Sequence, residues 1–318
     1  MDAIDTYVRT YPGSPVLLDV LGTAEADAIR AKAFELDPEA ARIFAFAASV
    51  GASFGIERRD GSRVAMKVHK LFRDERYHDD VQRVQAALAD AGFPAPRPLG
   101  RRGLVTWEEW LDEGVFRDAH EPPVRRALAG LLVRFVDLAT ATGVRPSRPF
   151  FPDAGEALWP TPHNALFDFE ATREGAEWID EIARAAKPLR DARVGRVVVG
   201  HTDWSIKHFR WDDELRATAV YDWDSVDTQT ETRIVGTAAA SFVYTEEIPG
   251  VSKWTTPEET VAFVADYERA RGMPFSDEER SAIHGAAVYL AAYGARCTWA
   301  YARRANRPQL ESMAEALL

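Results

Sequence analysis

The chain has 318 residues, 46% of them hydrophobic and 28% charged, a balance that excludes intrinsic disorder and suits one large domain or two modest ones. Fifty acidic against 39 basic residues leave a net charge of −11, which argues against electrostatic wrapping of nucleic acid or docking on an anionic membrane. The single cysteine, Cys297, excludes an internal disulfide and a cysteine-rich zinc site.

Asp2 and Asp5 stand where a secretory leader would be basic and then apolar, and no apolar run reaches the roughly 20 residues of a membrane span. The expected setting is the cytoplasm. Residues 23–36 are amphipathic, with Thr23 and Asp27 as a helix start and Asp37-Pro38 as its stop. Three strand-like runs follow, at 42–47, 53–58 and 63–70. The last two are joined through the hairpin signal Asp60-Gly61. Between the first two lies Ser49-Val50-Gly51-Ala52, small except for Val50. Residues 76–91 repeat with a helical period that puts Val81, Val84 and Leu88 on one face, and Gly92 is a C-cap signal. Pro94, Pro96 and Pro98 impose an extended passage, 103–110 reads as a strand, and Asp112-Glu113-Gly114 breaks the pattern.

A boundary near residue 110 therefore separates an N-terminal lobe, 1–110, from a C-terminal lobe, 111–318. The second lobe reads as mostly helical, with helices over 122–142, 172–186, 236–244, 257–272 and 276–304. Residues 155–169 are irregular and aromatic. Ser276 with Glu279 three residues on is a capping box. Val197-Val198-Val199 is a short buried strand leading into the polar turn 201–208, and 208–211 with 218–223 forms a hairpin. Sheet plus one helix, then a helical lobe, is an α+β pattern.

Two stretches carry the chemistry: Gly200-His201-Thr202-Asp203-Trp204-Ser205-Ile206-Lys207-His208 and Tyr221-Asp222-Trp223-Asp224. The hairpin between them folds the second back beside the first, so Asp203 and Asp222 meet in one cleft. Phosphoryl transfer needs such a pair. One carboxylate orients the attacking hydroxyl and accepts its proton, and the other holds the Mg²⁺ that bridges the phosphates. In the N-terminal sheet, Val64-Ala65-Met66-Lys67 matches the strand motif whose lysine reaches nucleotide phosphates. The backbone of Ser49 and Gly51, in the small-residue turn, can approach the same phosphates. Each feature also has a plainer reading: turn or cap aspartates, an exposed strand lysine, a tight hairpin loop.

With these parts in this order, residues 42–300 resemble the aminoglycoside phosphotransferases, the antibiotic-kinase branch of the protein-kinase-like fold. The resemblance implies a small antiparallel-sheet lobe with one helix and a larger, mainly helical lobe. It implies Asp203 as the catalytic residue, Asp222 as a metal ligand, Lys67 as the phosphate-contacting lysine, and 105–111 as the hinge that meets the purine. ATP or GTP would be the co-substrate, with Mg²⁺, or Mn²⁺ in its place, as the ion.

Three departures stand out. Thr202 replaces the usual glycine, His208 replaces the usual metal-binding asparagine, and no helix glutamate is in register for Lys67, although Glu75, Asp79 and Asp80 are candidates. His208 reads equally as a metal ligand, a hydrogen-bond partner of Asp203, or a strand residue, since imidazole is a poor ligand for hard Mg²⁺. His201 reads as a brace for the loop and Cys297 as packing.

Trp204 is expected to form an aromatic wall for the acceptor. Asp224, Asp227 and Glu231 are expected to line an acidic mouth suited to a cationic ligand. The function these features imply is phosphorylation of a hydroxyl on a small molecule, an aminoglycoside-like antibiotic or a metabolite. The alternative is a catalytically degenerate kinase-like protein that binds nucleotide or ligand. A protein kinase is disfavoured, because no Ala-Pro-Glu segment follows Asp222. The oligomeric state is not readable from the sequence.

Overall fold

The computed structural model describes residues 2–70, 75–146, 155–164 and 166–318. Three short helices open the chain, α1 (Ala3–Thr10), α2 (Pro15–Leu21) and α3 (Ala26–Leu36). Then come β1 (Ala40–Ala48), β2 (Ala52–Arg58), β3 (Arg63–Val68), α4 (Glu75–Asp90), β4 (Pro98–Arg102) and β5 (Val105–Glu109). The strands form one antiparallel sheet in the order β1-β2-β3-β5-β4. Alternation on β3 buries Val64, Met66 and Val68 on one face and turns Ala65 and Lys67 to the other. The buried face packs with Phe54 and Ile56 of β2 against Ile4, Leu17, Ile29 and Ala33 of α1–α3. The sheet core is thus closed from the N-terminal side, and Lys67 is left facing away from it.

Helix α4 turns elsewhere. Its apolar stripe, Tyr77, Val81, Val84 and Leu88, joins the core of α5 (Pro122–Ala141) and the strands that follow. That core continues through β6 (Val197–His201), the β7 (Phe209–Trp211) and β8 (Ala217–Val220) hairpin, β9 (Val226–Thr230), and helices α7 (Glu231–Ser241) and α8 (Pro257–Arg271). Helix α6 (Glu177–Asp191) and the long α9 (Asp277–Ala302) pack side by side, with α10 (Arg307–Leu317) beyond. Their approach is so close that a Cβ on Gly285 would lie 2.4 Å from Cβ of Leu189. Among the described residues no helix is long and apolar enough to cross a membrane.

The elements depart from the sequence reading in instructive places. Helix α6 starts at Glu177, five residues later than expected, after turns through Gly175, and carries Pro188 in its last turn. Part of the extended passage is strand β4, hydrogen-bonded to β5. Strand β9, Val-Asp-Thr-Gln-Thr, shows no apolar alternation; it is a strand because β6 needs a partner for its backbone. The irregular stretch 155–169 consists of turns and bends, residue 165 lying outside the described residues. The Ser276 capping box is formed: Glu279 N donates to Ser276 Oγ at 3.2 Å, and Ser276 N to Glu279 Oε2 at 2.8 Å.

Candidate active site

Strand β6 is bonded along its length to β9, which delivers the turn after His201 to the mouth of the cleft. His201 is fully buried, and burial lowers its basicity. Its Nδ1 accepts from Asp203 N at 3.3 Å, and its Nε2 lies 3.3 Å from Tyr221 O. A single neutral Nε2–H tautomer satisfies both contacts, so this imidazole ties the Asp203 turn to the chain entering Asp222. Thr202 makes a second tie. Its backbone N and Oγ1 both donate to Ser225 O at 2.8 Å, a bond that the usual glycine could not make through a side chain.

Asp203 presents its carboxylate to three groups. Ser205 Oγ donates to Oδ1, while His208 Nε2 lies 3.1 Å and Lys207 Nζ 3.4 Å from Oδ2. Burial pushes the carboxyl up. The charges of Lys207 and His208 and the bond from Ser205 outweigh it, holding Asp203 well below the usual carboxylate range. Asp222 sits in the left-handed region at φ 64°, uncommon for any residue but glycine and tolerated by Asp. Ser225 Oγ donates to its Oδ2 at 2.9 Å. His208 Nε2 is 3.7 Å from the same oxygen, so donor atoms of Asp203, His208 and Asp222 all lie within 4.8 Å of one another. Two hard carboxylates and one imidazole fit a divalent ion that completes its shell with water and phosphate oxygens.

Lys67 crosses from β3 into this cluster. Its Nζ donates to Asp222 Oδ1 at 2.7 Å and to Asp224 Oδ1 at 2.6 Å. Burial lowers the lysine pKa, but the two carboxylates more than reverse that, so Lys67 stays charged. The helix candidates for its partner are engaged elsewhere: Glu75 and Asp79 bind Arg101, and Asp80 pairs with Arg83. Helix α4 acts on the lysine indirectly. The Tyr77 hydroxyl lies 2.6 Å from Asp224 O and 2.8 Å from Val226 O, anchoring the segment whose carboxylate grips Lys67.

Ser49, Val50 and Gly51 arch over the same cleft, which has a volume of about 930 Å³. Gly51 is required there, because a Cβ would come within 2.7 Å of Val68 O. Asn164 Nδ2 reaches across to Ser49 O at 3.4 Å.

The structure thus brings Lys67, Asp203, His208, Asp222, Asp224, Ser49 and Gly51 to one place, and three expectations need correction. Trp204 is no wall: it is fully buried, its indole N–H donates to Leu128 O, and its ring packs edge-on against Phe135 and Phe209. Asp227 is 1% exposed on β9, outside the cleft, accepting from Thr228 N and Gln229 Nε2. Glu231 is also 1% exposed, clasped by Arg196, Arg271 and the Tyr267 hydroxyl. Of the expected acidic mouth only Asp224 lines the cleft: Glu231 is spent on ties within the helical core, and Asp227 accepts from its neighbours along β9.

The cleft is also lined by Lys207, within the motif stretch, and by Tyr244, Glu246, Lys253, Trp254 and Tyr301, which no motif betrays. They come from three separate segments, and only the fold joins them. Cys297 also lines the cleft, where burial pushes its thiol up to about 12.

Residues 47–248 match the phosphotransferase enzyme family. No curated protein sequence matches the chain. Among solved structures, the chain is similar to an amicoumacin kinase in complex with AMP-PNP, Ca²⁺ and Ami, with a TM-score of 0.56 at 12% identity over 91% of this chain and 93% of that one. It is similar to a microcompartment-associated aminopropanol kinase, with a TM-score of 0.56 at 14% identity over 91% and 94% of the two chains. It is also similar to the Plasmodium vivax ethanolamine kinase, with a TM-score of 0.52 at 8% identity over 84% and 78%. At such identities the likeness is one of fold.

Proposed function

The chain belongs to the phosphotransferase enzyme family, which makes it a small-molecule kinase, and we propose that it moves the γ-phosphoryl group of ATP or GTP to a hydroxyl of an antibiotic or a metabolite in the cytoplasm. The observation that carries this reading is the convergence of Lys67, Asp222 and Asp203 from three separate strands and turns on one cleft. In this reading the lobes are 1–110, which holds nucleotide, and 111–318, which holds acceptor and catalytic residues. Residues 105–111 serve as the hinge.

Each residue then has a defined task. Asp203, held ionised by Lys207 and His208, accepts the hydrogen bond of the acceptor hydroxyl, orients it in line, and takes its proton as the bond to phosphorus forms. The left-handed backbone at Asp222 aims its carboxylate into the cleft, where it would hold Mg²⁺ or Mn²⁺ with His208 beside it. Such an ion supplies charge neutralisation on the phosphates. Lys67 supplies the phosphate contact from the sheet, and the Ser49–Gly51 backbone packs over the nucleotide. Catalysis is positioning and charge stabilisation, without a covalent enzyme intermediate.

The test is nucleotide turnover. Wild-type protein with Mg-ATP or Mg-GTP and a panel of hydroxylated antibiotics and metabolites should release diphosphate nucleotide with at least one acceptor. Asp203→Asn should reduce kcat by about 10²- to 10⁴-fold, the usual loss for a general base, with little change in nucleotide affinity. Tight nucleotide binding with no turnover on any acceptor would instead identify a degenerate, binding-only protein.

A further inference from the structure

Behind the catalytic turn, between α6, α7 and α9, lies a second and smaller cavity. It shares Thr202, Leu290 and Tyr293 with the wall of the main cleft. Arg190, at the C-terminal end of α6, lines it with its residue only 5% exposed. The guanidinium stacks 4.0 Å from the centre of the Tyr289 ring, and Nε lies 3.5 Å from Asp191 Oδ1. Nη1 and Nη2 have no hydrogen-bond partner, although both are buried. A buried guanidinium with two idle donors is costly unless something accepts from them.

The surrounding charges do not fill that role. Asp191 gives Oδ2 to Lys187 Nζ at 2.6 Å and faces Arg190 with Oδ1 only at Nε, and Asp227, which also lines the cavity, accepts from Thr228 N and Gln229 Nε2. Arg233 also lines the cavity. The rest of the lining is largely apolar, including Pro160, Ile234, Ala286 and Leu290. The cavity has a volume of about 30 Å³, roughly two to three times the minimum for one water.

We propose that this cavity is an anion subsite in which the Nη1/Nη2 fork of Arg190 binds a carboxylate-like group. The planar fork matches two oxygens side by side, and the apolar walls suit the carbon that carries them. Because the cavity shares Thr202, the residue before Asp203, with the wall of the main cleft, the group can belong to the acceptor itself. The preferred acceptor would then be a hydroxy acid rather than a polycation, which rests on the kinase reading. A free small anion offers the same chemistry.

The experiment titrates the full-length protein with sodium formate and, separately, with neutral formamide at constant ionic strength, following the unfolding midpoint and the heat of binding. Formate should bind and formamide should not. Arg190→Gln should weaken formate binding at least about tenfold, as for loss of a charge-assisted pair, while leaving ATP binding unchanged. Arg190→Lys should fall between, and if the glutamine variant does not fold, this variant and the wild-type contrast decide. Equal responses to formate and formamide, or full formate affinity in the variant, would overturn the proposal and leave a water-filled cavity.

Matched acceptors then separate the two sources. A hydroxy acid favoured at least about tenfold in kcat/KM over its hydroxy amide, with the preference lost in Arg190→Gln, assigns the group to the acceptor. Formate binding without such a preference assigns the subsite to a free anion. Formate binding with no turnover of any acceptor would sink the kinase reading and leave the subsite standing.

Discussion

Asp203 and Asp222 are held in different ways, and the difference sets what each can do. Asp203 is surrounded by donors and cations, so it is a committed carboxylate that orients more than it titrates. Asp222 is drawn between Lys67 on one oxygen and Ser225 and His208 on the other. If His208 joins the metal shell, His208→Asn should shift the activity ratio from Mn²⁺ toward Mg²⁺, because imidazole suits the softer ion; an unchanged ratio in a metal titration removes His208 from that shell. Asp224 supplies the second counter-charge to Lys67. In Asp224→Asn that charge is lost, and Lys67 competes with the metal for Asp222 alone. The half-saturating metal concentration should rise about tenfold, roughly the worth of one charge-assisted bond, with kcat at saturation changed much less. An equal fall in kcat at all metal concentrations would contradict this. Residue types at these positions were visible in the sequence. The partner of Lys67 was not, because Asp224 reaches the lysine across the gap between sheet and helical core, 157 positions along the chain.

At the scale of elements, capping and packing divide the labour. Helix α9 begins with a reciprocal cap and is buried on more than one side between α6 and α7, with Gly285 to Tyr289 buried in succession. Ser276→Ala should lower stability by about 1 kcal/mol and leave kcat and KM unchanged, since the cap lies outside the cleft. Denaturant melts alongside kinetics check both halves. Helix α4 was legible from its period of apolar residues, yet the period does not say which partner covers the stripe. Tyr77 and His78, both buried, extend that face toward the catalytic segment. Helices α1 and α2 escaped the sequence reading because each is short, and a short helix owes its stability to docking more than to propensity; α10, as long as α3, was missed as well.

At the scale of the molecule, Asp203 in the cleft and Glu108 in the sheet make stability depend on pH in two opposed directions. Glu108, on β5, accepts from Gln85 Nε2 at 2.6 Å, and burial raises its carboxyl to about 7 against that bond and the charge of Lys67. Folding therefore takes up a proton at Glu108. Its contribution is complete below the ordinary carboxyl value, near 4, and is lost as pH rises through about 7. Asp203 has the opposite sign. Its depressed value means that folding releases a proton, so its contribution is present above about 4 and lost as pH falls further. Glu108→Gln keeps an amide oxygen for Gln85 and removes the titration. Its melting temperature should gain on wild type at pH 8, with the two curves converging at pH 5. A constant offset between them would contradict the assignment.

Local pattern alone determined the order of parts, the face of β3 on which Lys67 lies, the hairpin that returns Asp222 toward Asp203, and the cap of α9. Each of these follows from backbone period and short-range hydrogen bonding, which act within a few residues. Tertiary structure decided that Trp204 is core, that Glu231 ties the helical core and Asp227 lies buried outside the cleft, that Asp224 holds the lysine, and that Arg190 faces a cavity with two donors unused. Burial and charge pairing depend on which distant surfaces meet, and a charged or aromatic side chain has the same local signature whether it ends in solvent, in a core or in a site.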